Sequence, residues 1–143
     1  MGAGAALGGV GVLLALAIMA AVLGRSRTAL RLVYLGCLAV CGLLLATAAA
    51  QLFSVASQPS ALTLPLGLPW VGARFRIDML SAFFLIVVNL GAAIASLYTL
   101  GYGQHEEEPQ RVVPFYPAFL AGMNLVLLAD DAFSFLAGWE FMS

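Results

Sequence analysis

Residues 4–24, GAALGGVGVLLALAIMAAVLG, contain no charged, amide or hydroxyl side chain. At ~1.5 Å of rise per residue, a helix of this length extends about 30 Å, the thickness of a bilayer's hydrocarbon core. No basic residue precedes the stretch; Arg25, Arg27 and Arg31 follow it. A secretory signal peptide carries its basic region first, so the stretch reads as a retained helix whose N-terminus lies outside the cytoplasm. The opening GAGAALG loosely imitates a dinucleotide fingerprint, but no strand precedes it and no acid follows about 20 residues on. Gly4 and Gly8 instead form a small-xxx-small face suited to close helix packing.

The rest of the chain has the same character. Of its 143 residues 63% are hydrophobic and 9% charged, with a mean hydropathy of +1.04. A soluble domain needs more charge than that to cover its surface, which leaves an integral membrane protein. All six basic residues are arginine, and the net charge of −1 gives no reason to expect a nucleic-acid partner. No nucleophile–base pair, phosphate loop or metal cluster is evident, so neither catalysis by this chain alone nor a bound cofactor or metal is expected. Cys37 and Cys41 lie four apart on one side of an apolar helix and read as packed thiols. A metal pair there would need further ligands, and the single histidine, His105, is in a distant loop.

Further spans are expected at about 28–53, 79–100 and 112–129. Arg31 can snorkel, Asp78 precedes the third span, and Pro114 and Pro117 fall in the first turns of the fourth. A fifth segment, about 132–143, holds only a dozen residues. Between the second and third spans the period changes to two. Leu62, Leu64, Leu66 and Leu68 alternate, Pro69–Gly72 makes a turn, and Arg74, Phe75, Arg76 and Ile77 resume the alternation. That pattern predicts a β-hairpin over about 60–77, with Pro65 confining its strand to an edge. The expected fold is an all-α integral membrane protein, one membrane domain over 1–143. It has four transmembrane helices, the start of a fifth, and a short hairpin between helices 2 and 3.

Arginine counts orient it. The 25–31 turn has three and the 101–111 loop one, against two in the hairpin, which places the short turns in the cytoplasm and the hairpin opposite. Glu106, Glu107 and Glu108 beside His105 read as a solvated loop, a metal site being the alternative.

Polar residues inside apolar runs are the candidate functional groups. Glu140 lies nine residues beyond Asp131, ~14 Å along a helix and near the midplane of a ~30 Å core. An ionised side chain there costs at least ~2.5–3.5 kcal/mol, so such acids take a proton or find a basic partner, and they mark proton or ion pathways. The alternative is a chain end lying at the interface with Glu140 in water. Asn89 and Asn124 either hydrogen-bond across helices or line a hydrated path. Asp130 and Asp131, at a predicted boundary, anchor or cap the fifth helix, and Asp130 is, with the two asparagines, a candidate for packing or lining.

Two segments resemble a known family. FRIDMLSAFFLIVVNLGAAIASLYTLGYG (75–103) is similar to the third-helix region of the antiporter-like membrane subunits of respiratory complex I and related hydrogenases. FYPAFLAGMNLVLLADDAFSFLAGWEFMS (115–143) is similar to that family's fourth and fifth helices. The family's Asp-x-Leu-Ser pattern matches Asp78, Leu80 and Ser81. Its Leu-Ala-Asp step matches Leu128, Ala129 and Asp130, and its Trp-Glu-x-Met-Ser matches Trp139, Glu140, Met142 and Ser143. The ending and the Leu-Pro-Leu-Gly-Leu-Pro run look nearest to the hydrogenase-4 and formate hydrogenlyase branch, then to Mrp-type cation/proton antiporter subunits.

The resemblance implies proton translocation in the cell inner membrane, beside other membrane-arm subunits and a peripheral redox module. It also implies that Glu140 pairs with a lysine on a later, broken helix. Family members have many more helices, and this chain has no lysine. Twelve helical residues rise ~18 Å, so the chain is expected to be an N-terminal portion of such a subunit. The rival expectations are an Mrp-type antiporter subunit and a small stand-alone scaffold or assembly protein.

Overall fold

A computed structural model of the chain describes residues 2–23, 26–53, 60–65, 72–102 and 112–142. Arg25, Leu66 and Leu68 of the alternating run, the turn residues 69–71, His105, Glu106–Glu108, Arg111 and Ser143 lie outside the described residues.

Three helices are long and apolar enough to cross a membrane: α1 (Ala3–Leu23), α2 (Arg27–Phe53) and α3 (Met79–Tyr102). Two shorter ones follow, α4 (Phe115–Leu128) and α5 (Ala132–Met142). The fourth segment, expected over 112–129, is thus helical for only 14 residues, a rise of ~21 Å against a ~30 Å core. Both shortened ends have a cause. Residues 112–114 form a turn closed by Phe115 N–H donating to the Val112 carbonyl at 3.1 Å, and Pro114 sits at the N-cap. At the other end Ala129 turns extended, with ψ 128°, and pairs with Phe75.

The helices close a ring: α1 packs on α2 and α4, and α3 packs on the same two. Leu13, Val33, Cys37, Cys41, Leu85 and Leu128 are buried within it. Outward faces carry Ile18, Val22, Ile94 and Leu97, all more than half exposed. Exposed aliphatics along α1, α2 and α3 suit acyl chains rather than water, and the protein is a multi-pass membrane protein.

The glycine face of α1 differs from expectation. A Cβ at Gly4 or Gly8 would meet nothing within 4 Å. Gly9 is the close-packed one, where a Cβ would lie 2.8 Å from Leu44 Cδ2 of α2. One residue turns a helix by about 100°, and the contact with α2 selects Gly9 over its exposed neighbour Gly8.

The hairpin forms as the period-2 pattern predicts. Strand β1 (Ser60–Leu64) pairs antiparallel with β2 (Ala73–Ile77) in the register Ser60↔Ile77 to Leu64↔Ala73. β1 stops just before Pro65, which has no N–H to donate. Gly72 leads into β2 at φ +67°, where a Cβ would stand 2.8 Å from the Leu64 carbonyl oxygen. Along β2, Ala73, Phe75 and Ile77 point inward while Arg74 and Arg76 are exposed. The hairpin sits against one end of the ring, touching α1, α3, α4 and α5. Ala3 N–H donates to the Ser60 hydroxyl at 3.0 Å, so the N-terminus and the hairpin share one end of the bundle.

Candidate functional site

Three groups of polar side chains interrupt the apolar structure: a joint beside the hairpin, a seam between α3 and α4, and Glu140 on α5.

At the joint, Asp78 and Ser81 cap α3 reciprocally. Ser81 N–H donates to Asp78 Oδ1 at 2.8 Å, and Asp78 N–H donates to the Ser81 hydroxyl at 2.9 Å. This is capping-box logic with serine in the role of the distal acceptor, and it gives the Asp-x-Leu-Ser pattern a structural reason. The Ser81 N–H, aided by its hydroxyl and the Arg76 guanidinium, holds the Asp78 carboxyl below the usual carboxylate range against the opposing effect of burial.

Asp131 caps α5 in the same manner. Its carboxylate accepts Ser134 N–H at 2.8 Å and the Ser134 hydroxyl at 2.6 Å. It also accepts Arg74 N–H from β2 at 2.8 Å. Burial pushes this carboxyl up, but the Ser134, Arg74 and Phe133 hydrogen bonds together hold it low. Asp130 donates its N–H to the Arg74 carbonyl at 2.8 Å. Its carboxylate meets Arg76 Nε at 3.0 Å and an Arg74 terminal nitrogen at 3.7 Å. The two arginine side chains are 56% and 44% exposed, so solvent screens these pairs and each is worth ~0–1 kcal/mol. The backbone bonds carry the geometry, and the charges bias it.

In the seam, Asn89 of α3 and Asn124 of α4 are fully buried and meet directly, Asn89 Nδ2 donating to Asn124 Oδ1 at 2.7 Å. Each amide also donates to its own helix, Asn89 to Leu85 O at 2.9 Å and Asn124 to Leu120 O at 2.8 Å. Asn89 Oδ1 has no hydrogen-bond partner among the described residues. Seven residues along α3, about two turns, Ser96 and Tyr116 make a second polar contact of 2.8 Å, and the tyrosine hydroxyl also donates to Ala92 O at 3.0 Å. Helix α3 therefore presents Asn89 and Ser96 to α4 on one face. Sequence reasoning missed the second rung, although the seven-residue spacing of two polar side chains in an apolar span was there to read.

Helix α5 packs on α4 and β2. Its buried side is Ser134 and Gly138, with the Gly138 position close to Leu125 and Val126 of α4. Glu140 lies about 200° around the helix from Gly138 and is exposed, flanked by the exposed Trp139 and Phe141. Of the residues singled out in the sequence, Asn89 and Asn124 come together. Asp130 joins the arginines of β2, and Glu140 lies on the side of α5 turned from α4. Arg74 and Arg76, which the sequence used for the hairpin alternation and to orient the chain, prove to be partners of Asp130. Their i, i+2 spacing on a strand, which puts both on one face, is the signal that could have found them.

No protein-family model matches the chain. Over 70 residues, 48% of the chain, it is 37% identical to hydrogenase-4 component B of Escherichia coli, of which this covers 10%. Over 77 residues, 54% of the chain, it is 29% identical to NADH-quinone oxidoreductase subunit L of Mycobacterium tuberculosis, of which this covers 12%. The resemblance to the antiporter-like family holds. The similarity extends over about half of the chain and, as those shares state, only a small part of each antiporter-like relative.

Proposed function

We propose that this chain forms the first helices of a proton-translocating membrane-arm subunit, in a respiratory or hydrogenase complex that couples electron transfer to proton movement. Helices α1 to α4 would cross the inner membrane with α5 beginning a fifth span, the hairpin and N-terminus lying outside the cytoplasm. The arginine distribution supports that orientation. The short α4 fits a spanning role if the turn at 112–114 completes the crossing at the end away from the hairpin. Redox chemistry would reside in partner subunits, since a hydrogenase component and a quinone oxidoreductase subunit are what the relatives are called.

The observation that carries the reading is Glu140 itself: a carboxyl on the side of α5 turned from α4, between exposed aromatic residues. In hydrocarbon such a group is driven either to hold a proton or to face a basic or hydrated neighbour, and moving between those conditions is proton transfer. Glu140→Gln keeps the size and hydrogen-bonding capacity but cannot ionise. In the assembled complex carrying this chain, that variant should slow proton translocation while leaving assembly intact. Proton movement at the wild-type rate in a properly assembled Glu140→Gln complex would refute the reading, and sodium-dependent transport without redox coupling would point to an Mrp-type antiporter instead.

A further inference from the structure

Only residues 129–131 separate α4 from α5, and all three are held by one strand. Ala129 bridges Phe75. Asp130 is bound to β2 through its N–H at 2.8 Å and through its carboxylate to Arg76 at 3.0 Å. Asp131 accepts Arg74 N–H at 2.8 Å with the same carboxylate that caps α5. Nothing in the connection is slack. Ala132 begins α5 immediately afterwards, and a helix is stiff over the ~12 Å from there to Glu140.

We propose that the hairpin is the positioning element of α5, acting through Asp130 and Asp131, so that the placement of α5 in the bilayer is set from outside the membrane by β2. Asp130 and Asp131 are positioning residues; neither needs to carry a proton. The joint stands on the contacts above, and only its consequence for Glu140 rests on the proposed function.

The chain's own fluorescence can test this. It has two tryptophans, Trp70 and Trp139, so Trp70→Phe leaves Trp139, one residue from Glu140, as the sole reporter. The chain is reconstituted into phosphatidylcholine vesicles brominated at shallow, middle or deep acyl positions, and quenching of Trp139 is read against bromine depth. The parent should quench best at one depth. The double variant Asp130→Asn with Asp131→Ser keeps a helix-capping side chain but removes the ion pairs and shortens the tie to Arg74. In it the depth profile of Trp139 quenching should broaden measurably, whereas Asp130→Glu, which preserves the charge, should retain the parent profile.

A double variant that inserts with the parent's helix content and keeps the parent's depth profile overturns the proposal. So does an Asp130→Glu profile as flattened as that of Asp130→Asn, because filling the site rather than pairing the charge would then be what matters. If the double variant does not insert, Asp130→Asn alone, which leaves the Asp131 cap in place, decides on the same readout. No proton movement is measured, so a failed Glu140→Gln test leaves this joint standing, and an unmoved Trp139 leaves the role of Glu140 untouched.

Discussion

Replacing Asn89 by leucine keeps the branched outline of the side chain and deletes its 2.7 Å hydrogen bond to Asn124. It also deletes Asn89 Oδ1, which lacks a partner among the described residues, and leaves Asn124 Oδ1 without a donor. One orphaned acceptor is exchanged for another, so the net loss is the hydrogen bond. Such bonds between membrane helices average about 0.6 kcal/mol, with a maximum near ~1.7. Asn124→Leu is worse placed. It keeps the orphaned Asn89 Oδ1 and strips Asn89 Nδ2 of one of its two acceptors, so it should cost more, toward the ~1–3 kcal/mol of a newly unsatisfied buried group. Leucine is also the better helix former, by up to ~0.7 kcal/mol, which blurs both single values. The double-mutant cycle removes that blur, because the propensity gain cancels. The assay is reversible unfolding of the four chains by SDS titration in mixed micelles, followed by circular dichroism. We expect the double variant to be less destabilised than the sum of the singles, with a coupling of about 0.6–1.7 kcal/mol. A coupling within ~0.3 kcal/mol of zero would show that the contact contributes nothing and that the two amides sit together by packing alone.

Other expectations use the same assay. At Gly138 an added Cβ would lie 3.1 Å from Val126 Cγ2 and 3.3 Å from the Val126 nitrogen, so Gly138→Val should overpack the α4–α5 contact and cost ~1–3 kcal/mol. Gly91→Ala, where a Cβ meets nothing within 4 Å, should be neutral or stabilising by up to ~1 kcal/mol; equal effects at the two sites would refute the helix placement. The hydrogen-bonded Asp78 and Asp131 carboxyls are held below their usual range. Their contribution is therefore complete above the unfolded pKa of ~3.9 and is lost as pH falls from there through the lower folded values. Unfolding midpoints recorded downward from about pH 6 should begin to fall near pH 4, and the fall should be shallower in Asp78→Asn. An identical acid limb in that variant would place the effect elsewhere.

Much of the architecture was legible because it depends on properties that run along the chain. Long, predominantly apolar runs mark α1, α2 and α3, and the alternation at Leu62 and Leu64 and over Arg74–Ile77 marks two strands with two faces. The reading failed where a partner overrides local pattern. α4 is shorter than its apolar run because residues 112–114 form a turn ahead of it and Ala129 leaves it to pair with Phe75, and no hydropathy profile contains the pairing with β2. Gly4 and Gly8 carry the small-residue spacing, yet Gly9 faces α2, because the spacing fixes a face without fixing which neighbour it meets. The candidate site divides in the same way. Asn89, Asn124, Asp130 and Glu140 stand out as polar residues in apolar surroundings, whereas the partners of Ser96, Tyr116, Arg74 and Arg76 come only from the contacts they make.

The sequence by itself determined the solvent this protein folds in, its three long apolar helices and the hairpin between the second and third of them. Transfer free energy and side-chain period are sums over neighbours in the chain. Tertiary structure alone decided which acid meets which arginine, that the two buried amides bond across 35 residues, and that a strand 57 residues upstream holds the cap of α5. Those contacts follow from helix rotation and packing, where a turn of about 100° per residue separates a buried partner from a lipid-facing side chain.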